Sequence, residues 1–391
     1  MTLEHLGIAI ANADDAVALF EQLLGAAPYQ TETVEREGVR TIFFGNGGES
    51  GRAPKLELLE AITPSSPIAA FLDKRGPGLH HIAFEVDDIE AEMKRVDALG
   101  FRLLADTPKP GADGKRIVFL HPKSTAGVLV ELCQSVEVEP EQRRVPFEDG
   151  HLTAFVSGPV DAPPLVVLHA ALGSTAFEMR RLTRHWEGQF RVYALDFMAH
   201  GDSDPFPGRT LTFDTFTDNV AALLDTIEVA RVHLFGFSMG GSVALHTAHR
   251  FPERIERLAV HAFNVQWNET EVETMSGAMA GALANPEGHW ATRLATIHGA
   301  DHWRDLVGRM QAFTEALPGQ QFPDDALASI TAPTLLSTGD RDRYFPLRHA
   351  LHLRSLLPNS SLAVLPGADH PIQAVESELF AALVTRHLLD A

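Results

Sequence analysis

A serine set between glycines, where an apolar run gives way to a run of small residues, constrains this chain more than any other feature. In Leu234-Phe235-Gly236-Phe237-Ser238-Met239-Gly240-Gly241 the first residues read as a buried strand, and Gly240-Gly241-Ser242-Val243-Ala244-Leu245-His246 reads as the opening of a helix. A chain that turns directly from strand to helix holds the intervening residue in a strained, exposed position, and the flanking glycines remove the Cβ clashes of the turn. Ser238 is thereby a candidate nucleophile. A Gly-x-Ser-x-Gly string alone arises by chance, so the assignment needs partners.

The partners follow in chain order. Pro333-Thr334-Leu335-Leu336-Ser337-Thr338-Gly339-Asp340-Arg341-Asp342 reads as a buried strand emptying into an acidic turn, and Leu362-Ala363-Val364-Leu365-Pro366-Gly367-Ala368-Asp369-His370 as a strand ending at a histidine. Serine, acid, histidine is the order of the α/β-hydrolase fold. Either Asp340 or Asp342 could orient the imidazole of His370. The segment from Gly339 to Asp342, with Pro346 downstream, resembles that family's Gly-x-x-Asp turn, whose last residue is the acid, and this favours Asp342. Upstream, the short strand Leu165-Val166-Val167-Leu168 leads into His169-Ala170-Ala171-Leu172-Gly173-Ser174, which resembles the family's His-Gly-x-x-Gly-Ser segment with Ala170 in place of glycine. The resemblance implies an oxyanion hole made by the backbone N–H groups of Ala171 and Met239, and makes His169 a turn residue, not a base.

These signals begin only after about residue 145, so the first third of the chain needs its own account. At 391 residues, with 45% hydrophobic and 21% charged content, the chain is long enough for two ordinary globular cores. The polar stretch 135–144 suits a linker. The single cysteine, Cys133, forms no internal disulfide, the start carries no basic leader, and no apolar run spans a bilayer, which together point to a cytoplasmic protein. A formal charge of −20 opposes a nucleic-acid footprint.

Residues 1–134 contain an internal repeat. His5-Leu6-Gly7-Ile8-Ala9-Ile10, followed by a helix-like set closed by Gly25, is echoed by His81-Ile82-Ala83-Phe84-Glu85-Val86 and a second such set closed by Gly100. Each half ends in a strand with a central glutamate, Glu57 and Glu131. Two βαβββ units are the economical reading, with further strands near 39–45 and 115–120. If the two units pack about a pseudo-twofold axis, His5, Glu57, His81 and Glu131 meet in a shared cup. Two imidazoles and two carboxylates suit a divalent metal ion, Co, Mn, Fe, Ni or Zn, among which donor softness does not choose.

The strings Glu4-His5-Leu6-Gly7-Ile8-Ala9, Glu57-Leu58-Leu59-Glu60, Ser66-Pro67-Ile68-Ala69, Gly78-Leu79-His80-His81-Ile82-Ala83-Phe84-Glu85-Val86 and Phe119-Leu120-His121-Pro122-Lys123-Ser124 through Glu131-Leu132 resemble the vicinal-oxygen-chelate superfamily, and closely resemble methylmalonyl-CoA epimerases. The resemblance implies the metal ligands His5, Glu57, His81 and Glu131, with His80 on the opposite face of its strand. It further implies an acid–base role for Glu131 in moving the α-proton of an acyl-CoA thioester. The family's second base falls at Thr41, which is no base at neutral pH; Glu35 and Glu37 stand nearby as substitutes.

The expected architecture is therefore an α+β vicinal-oxygen-chelate module (1–134), a linker (135–144), and an α/β-hydrolase (145–391) with a helical cap at about 264–328. Trp267, Trp290 and Trp303 fall in that cap, either packing it to the body or lining a lid over a small acyl group. The leading functional expectation is a bifunctional enzyme, an epimerase-like module fused to a serine hydrolase acting on a thioester or ester. A ring-cleavage metal module coupled to a carbon–carbon bond or lactone hydrolase is one alternative, although ring-cleaving relatives generally use two histidines and one carboxylate. A single-activity hydrolase with a binding or dimerisation module, and hence a homodimer, is the other. The expected partner is a small acyl substrate such as a coenzyme A thioester, whose phosphates Lys109, Lys115, Arg116 and Lys123 could meet.

Overall fold

The computed structural model describes residues 1–45, 54–136 and 139–390, and the chain divides into two units, Met1–Val138 and Glu139–Ala391. The first holds β1 (Thr2–Ile10), α1 (Ala13–Leu24), β2 (Gln30–Val34), β3 (Val39–Phe44), β4 (Lys55–Ala61), α2 (Pro67–Arg75), β5 (Gly78–Glu85), α3 (Ile89–Ala98), β6 (Lys109–Pro110), β7 (Lys115–Leu120) and β8 (Leu129–Ser135). Asn12 and Asp88 cap α1 and α3 by accepting backbone N–H bonds three residues on, so the two halves start their helices alike.

The eight strands form one sheet in the order β2-β3-β4-β1-β5-β8-β7-β6, each half contributing four and the two first strands meeting antiparallel at the centre. This is the twofold βαβββ arrangement that the repeat implies. One face of the sheet packs Ile10, Ile42 and Leu58 beneath α1, and Val86, Val118 and Leu132 beneath α3. The opposite face carries His5, Glu57, His81 and Glu131, and α2 closes one end of it by seating Ile68 against Ala9, Val39 and Leu59.

The second unit has a sheet ordered β16-β15-β14-β13-β11-β12-β10-β9, built from β9 (Glu141–Phe147), β10 (Gly150–Ser157), β11 (Pro164–Leu168), β12 (Arg191–Asp196), β13 (Val232–Phe237), β14 (Ile255–His261), β15 (Thr334–Gly339) and β16 (Ser360–Leu365). Strands β11 to β16 pair in parallel, and β9 and β10 add an antiparallel edge. Every residue of β13 and β15 is buried, as parallel strands covered on both faces require. Helices α4 (Arg180–Thr183) and α12 (Ser377–Leu389) cover one face, while α5 (Phe213–Ile227), α6 (Met239–Arg250) and α11 (Leu347–Leu356) cover the other.

Between β14 and β15 stand α7 (Glu269–Ala284), α8 (His289–His298), α9 (Trp303–Ala316) and α10 (Asp324–Ala328), the helical cap in the expected segment. Phe313 of α9 meets the rings of Phe213 and Phe216, with centroids 5.2 and 5.7 Å away, which anchors the cap on α5.

The expected linker needs correction. Strand β8 runs to Ser135, and residues 141–144 already pair with β10 as part of β9; Glu137 and Val138 lie outside the described residues. The stretch reads as polar because β9 is an edge strand in which only Val145 is buried.

Candidate active sites

In the first unit the register brings the four expected ligands together. Gly7 on β1 pairs with Glu57 on β4 and, across the central seam, with His81 on β5; in the other half Ala83 pairs with Glu131 and with His5. The Nε2 atoms of His5 and His81 are 2.8 Å apart. Glu57 Oε2 lies 3.3 and 3.4 Å from them, and Glu131 Oε2 lies 3.7 Å from His81 Nε2. Gly7 is required here, since a Cβ in its place would sit 2.2 Å from His81 Cε1.

All four side chains are buried, and among the described residues neither Glu57 nor Glu131 pairs with a lysine or arginine. Burial opposes ionisation of Glu57, but hydrogen bonds from His5 and His81 outweigh it and hold the carboxyl down at about 2. Glu131 lacks such bonds, and burial pushes it up to about 7. Converging imidazole and carboxylate groups of this kind are the donor set a divalent metal ion takes, and His5, His81 and Glu131 have ligand atoms within 4.8 Å of one another.

Two residues around the cup were not legible as site residues. The pairing of β1 with β5 slips at Glu4 and again at His80, so each extra residue bulges and the strict alternation of faces is lost. His80, expected on the far face of its strand, therefore lines the same cavity as His81, its Nδ1 3.0 Å from that of His81. Glu4 takes the equivalent place before His5, and its carboxylate meets His5 Nδ1. Lys55 Nζ holds Glu4 Oε1 at 2.9 Å and Lys115 Nζ approaches it at 3.4 Å, so the outer ring of the cup is itself charge-balanced.

Of the four basic residues expected to meet a phosphate, three are already paired with carboxylates. Lys115 is buried, bonded to Glu85 at 2.7 Å; Lys109 pairs with Glu37 at 2.6 Å; Arg116 pairs with Glu90. Glu37 is thereby committed to Lys109. Thr41 is buried in the cavity wall, its hydroxyl donating to the Glu32 carbonyl at 3.2 Å. The cup encloses about 260 Å³ between the sheet, α2 and the β6 region.

In the second unit Ser238, Asp342, His370 and the Ala171 segment all lie past the C-terminal ends of parallel strands, where α/β sheets collect their site residues. Ser238 has φ 52° and ψ −120°. A Cβ on Gly236 would lie 2.3 Å from the Gly240 carbonyl oxygen, and one on Gly240 would lie 2.5 Å from that of Leu168, so both glycines are fixed by close backbone approach. Ser238 Oγ is 3.1 Å from His370 Nε2, and His370 Nδ1 is 2.9 Å from Asp342 Oδ2. The other Asp342 oxygen accepts the backbone N–H groups of Tyr344 and Phe345, both at 2.8 Å. Burial disfavours the Asp342 anion, but the His370 bond and these backbone donors leave its carboxyl below the usual range. Asp340 instead accepts the Gly367 N–H at 2.7 Å.

The N–H groups of Ala171 and Met239 bond no protein acceptor among the described residues. His169 is spent on structure, bonded to the Ala170 carbonyl at 2.7 Å and to the Phe197 N–H at 3.1 Å. Glu178, which no sequence pattern marks, accepts the Ala170 N–H at 2.8 Å and lines the cavity over Ser238. That cavity measures about 630 Å³ and lies between the strand-end loops and the cap helices α7 and α8. Of the three cap tryptophans, Trp267 and Trp290 line it while Trp303 is buried in the packing against the body.

Comparison with known proteins agrees with both halves. Residues 4–119 match the Glyoxalase/Bleomycin resistance protein/Dioxygenase superfamily, and residues 163–305 match the alpha/beta hydrolase fold. The ethylmalonyl-CoA/methylmalonyl-CoA epimerase of Cereibacter sphaeroides is 40% identical over 134 residues, 34% of this chain and 96% of that protein. Carboxylesterase YbfK of Bacillus subtilis is 26% identical over 257 residues, 62% of this chain and 85% of that protein. The crystal structure of that esterase matches with a TM-score of 0.51 at 24% identity, over 65% of this chain and 93% of that one, a likeness of fold. Among the described residues no helix is long and apolar enough to cross a membrane.

Proposed function

From a chain that belongs to the glyoxalase/bleomycin resistance protein/dioxygenase superfamily through its first unit and carries the α/β-hydrolase fold in its second, we propose a bifunctional enzyme that shifts an α-proton of an acyl thioester at one site and hydrolyses a thioester or ester at the other. The observation that carries the reading is that one chain holds two separate constellations, a buried imidazole–carboxylate cluster and a hydrogen-bonded Ser238–His370–Asp342 relay.

At the second site Ser238 Oγ attacks the acyl carbonyl while His370 Nε2 takes its proton and returns it to the leaving group. Asp342 orients the imidazole through Nδ1, and the Ala171 and Met239 N–H groups receive the oxyanion. Water then repeats the sequence on the acyl-serine.

At the first site His5, Glu57, His81 and Glu131 would hold a divalent cation, which supplies positive charge that acidifies the α-proton of a bound acyl group. Glu131, which lacks the hydrogen bonds that commit Glu57 to both imidazoles, is the carboxylate of the cup assigned to take that proton. Thr41 offers no second base, which favours return of the proton to the face it left over inversion. The test uses the Ser238→Ala protein, so that thioester is not consumed: methylmalonyl-CoA or ethylmalonyl-CoA in D₂O should exchange its α-hydrogen far faster than in buffer. Absence of exchange with metal bound would leave the first unit a binding module, and the Ser238-dependent hydrolysis would stand alone.

A further inference from the structure

The cavity over Ser238 is walled mostly by apolar side chains, and apart from His370 of the relay and the Tyr344 phenol its ionisable lining residues are Arg293 and Glu178. Arg293 projects from α8 and is the only lysine or arginine among the lining residues. Its guanidinium stands 4.5 Å from the centroid of the Phe177 ring, and it makes no ion pair or hydrogen bond with any described residue. Other arginines of this unit, such as Arg250 and Arg254, find a carboxylate. Arg293 is solvent-exposed while it lines the cavity, so in a chain of net charge −20 its unpaired guanidinium offers positive charge to an anion arriving there.

The second group is Glu178. It follows Phe177 in the wide helical turn Thr175–Met179, where consecutive residues both reach the cavity. One of its oxygens is occupied by the Ala170 N–H. Burial raises it to about 7, against the pull of that bond, of His370 and of Arg293, so near neutral pH it is available as an O–H donor. A guanidinium beside Phe177 and a protonated carboxyl on the next residue, both lining one cavity, supply donors that a single external anion can use.

We propose that this cavity takes an ester or thioester whose acyl group bears a free carboxylate, received by Arg293 and Glu178 while the scissile carbonyl lies over Ser238. The inference rests on the serine-hydrolase reading and narrows it to half-esters and half-thioesters of dicarboxylic acids, the class to which the malonyl-type thioesters proposed for the first unit belong.

The test compares the full-length protein on mono-p-nitrophenyl adipate and on p-nitrophenyl hexanoate, esters of equal chain length, with uncatalysed hydrolysis subtracted. The wild type should favour the adipate in kcat/KM, and Arg293→Gln should lower the adipate-to-hexanoate ratio roughly 10- to 100-fold, the scale of a lost hydrogen bond to a charged group. Arg293→Lys should retain part of the preference. A measurement needing no variant is inhibition of p-nitrophenyl acetate hydrolysis, where monomethyl adipate should act at lower concentration than methyl hexanoate. Equal inhibition by the two, or a ratio unmoved in Arg293→Gln while hydrolysis still depends on Ser238, overturns the carboxylate subsite alone. Undiminished hydrolysis of both esters by Ser238→Ala overturns the hydrolase reading and this inference with it.

Discussion

Thr41 donates its hydroxyl to the backbone carbonyl of Glu32 at 3.2 Å, so the strand position from which a second base would reach the first cavity holds a group already bonded to its neighbour strand. On the proposed function Glu131 is then the base that moves the proton. We predict that α-hydrogen exchange in D₂O outpaces racemisation by about tenfold or more, since positioned general-base catalysis contributes at least that factor. Thr41→Glu should raise racemisation relative to exchange, read by chiral analysis of the recovered acid. Equal rates of the two processes in the wild type would show that another lining group, such as His80, returns the proton and would refute the single-base reading.

The Ser238–His370–Asp342 relay predicts that Ser238→Ala lowers kcat on p-nitrophenyl esters by on the order of 10⁴-fold or more. Asp342→Asn should be nearly as severe. Asp340→Asn alters only a bond to the Gly367 N–H and should cost about 1 kcal/mol of stability with little loss of rate. Steady-state kinetics and denaturant melts of the two aspartate variants separate these outcomes, and the reverse pattern would exchange their roles.

Glu4 orients His5 from outside the cup, so Glu4→Gln should weaken binding of one divalent metal ion per chain by roughly 10- to 100-fold. His5→Ala or Glu131→Ala should abolish binding. Titration calorimetry with Co²⁺ or Mn²⁺ reads both effects, and ester hydrolysis by Ser238 should persist in each variant because the two units have separate cores.

His298, at the end of cap helix α8, donates to the Leu172 carbonyl and accepts the Gly201 N–H, both at 3.0 Å. It thus ties the cap to the oxyanion segment only while one ring nitrogen is bare. Burial depresses it to about 4, below the 6.5 of an exposed histidine. Above pH 6.5 both folded and unfolded forms are neutral there; as pH falls below 6.5 the unfolded chain takes up the proton first, so stability declines toward pH 4. The loss from this residue is about 2 kcal/mol at pH 5. Urea unfolding at pH 7.5 and 5 should show it, and His298→Gln should flatten the dependence. The same slope in wild type and variant would refute the assignment.

The amino-acid sequence by itself determined the two modules, the strands that carry the site residues and most of those residues, because each is announced locally. A glycine-flanked serine demands a turn, an acid or a histidine closes an apolar strand, and a duplicated His-to-Glu spacing fixes which strand positions repeat. Asp342 could be preferred to Asp340 from the turn pattern alone. What only the tertiary structure decided depends on contacts between segments distant in sequence. The bulges at Glu4 and His80 arise where β1 and β5 meet, and alternation within either strand places His80 on the wrong face. The polar edge strand β9 reads as linker because its pairing satisfies a backbone that its side chains do not bury. Glu178 and Arg293 belong to no motif, and they become neighbours of Ser238 only when the cap folds over a sheet whose parallel order brings residues 130 or more apart to one edge. Local periodicity records which face of an element is buried; it does not record which other element does the burying, and that choice sets the shape and chemistry of both cavities.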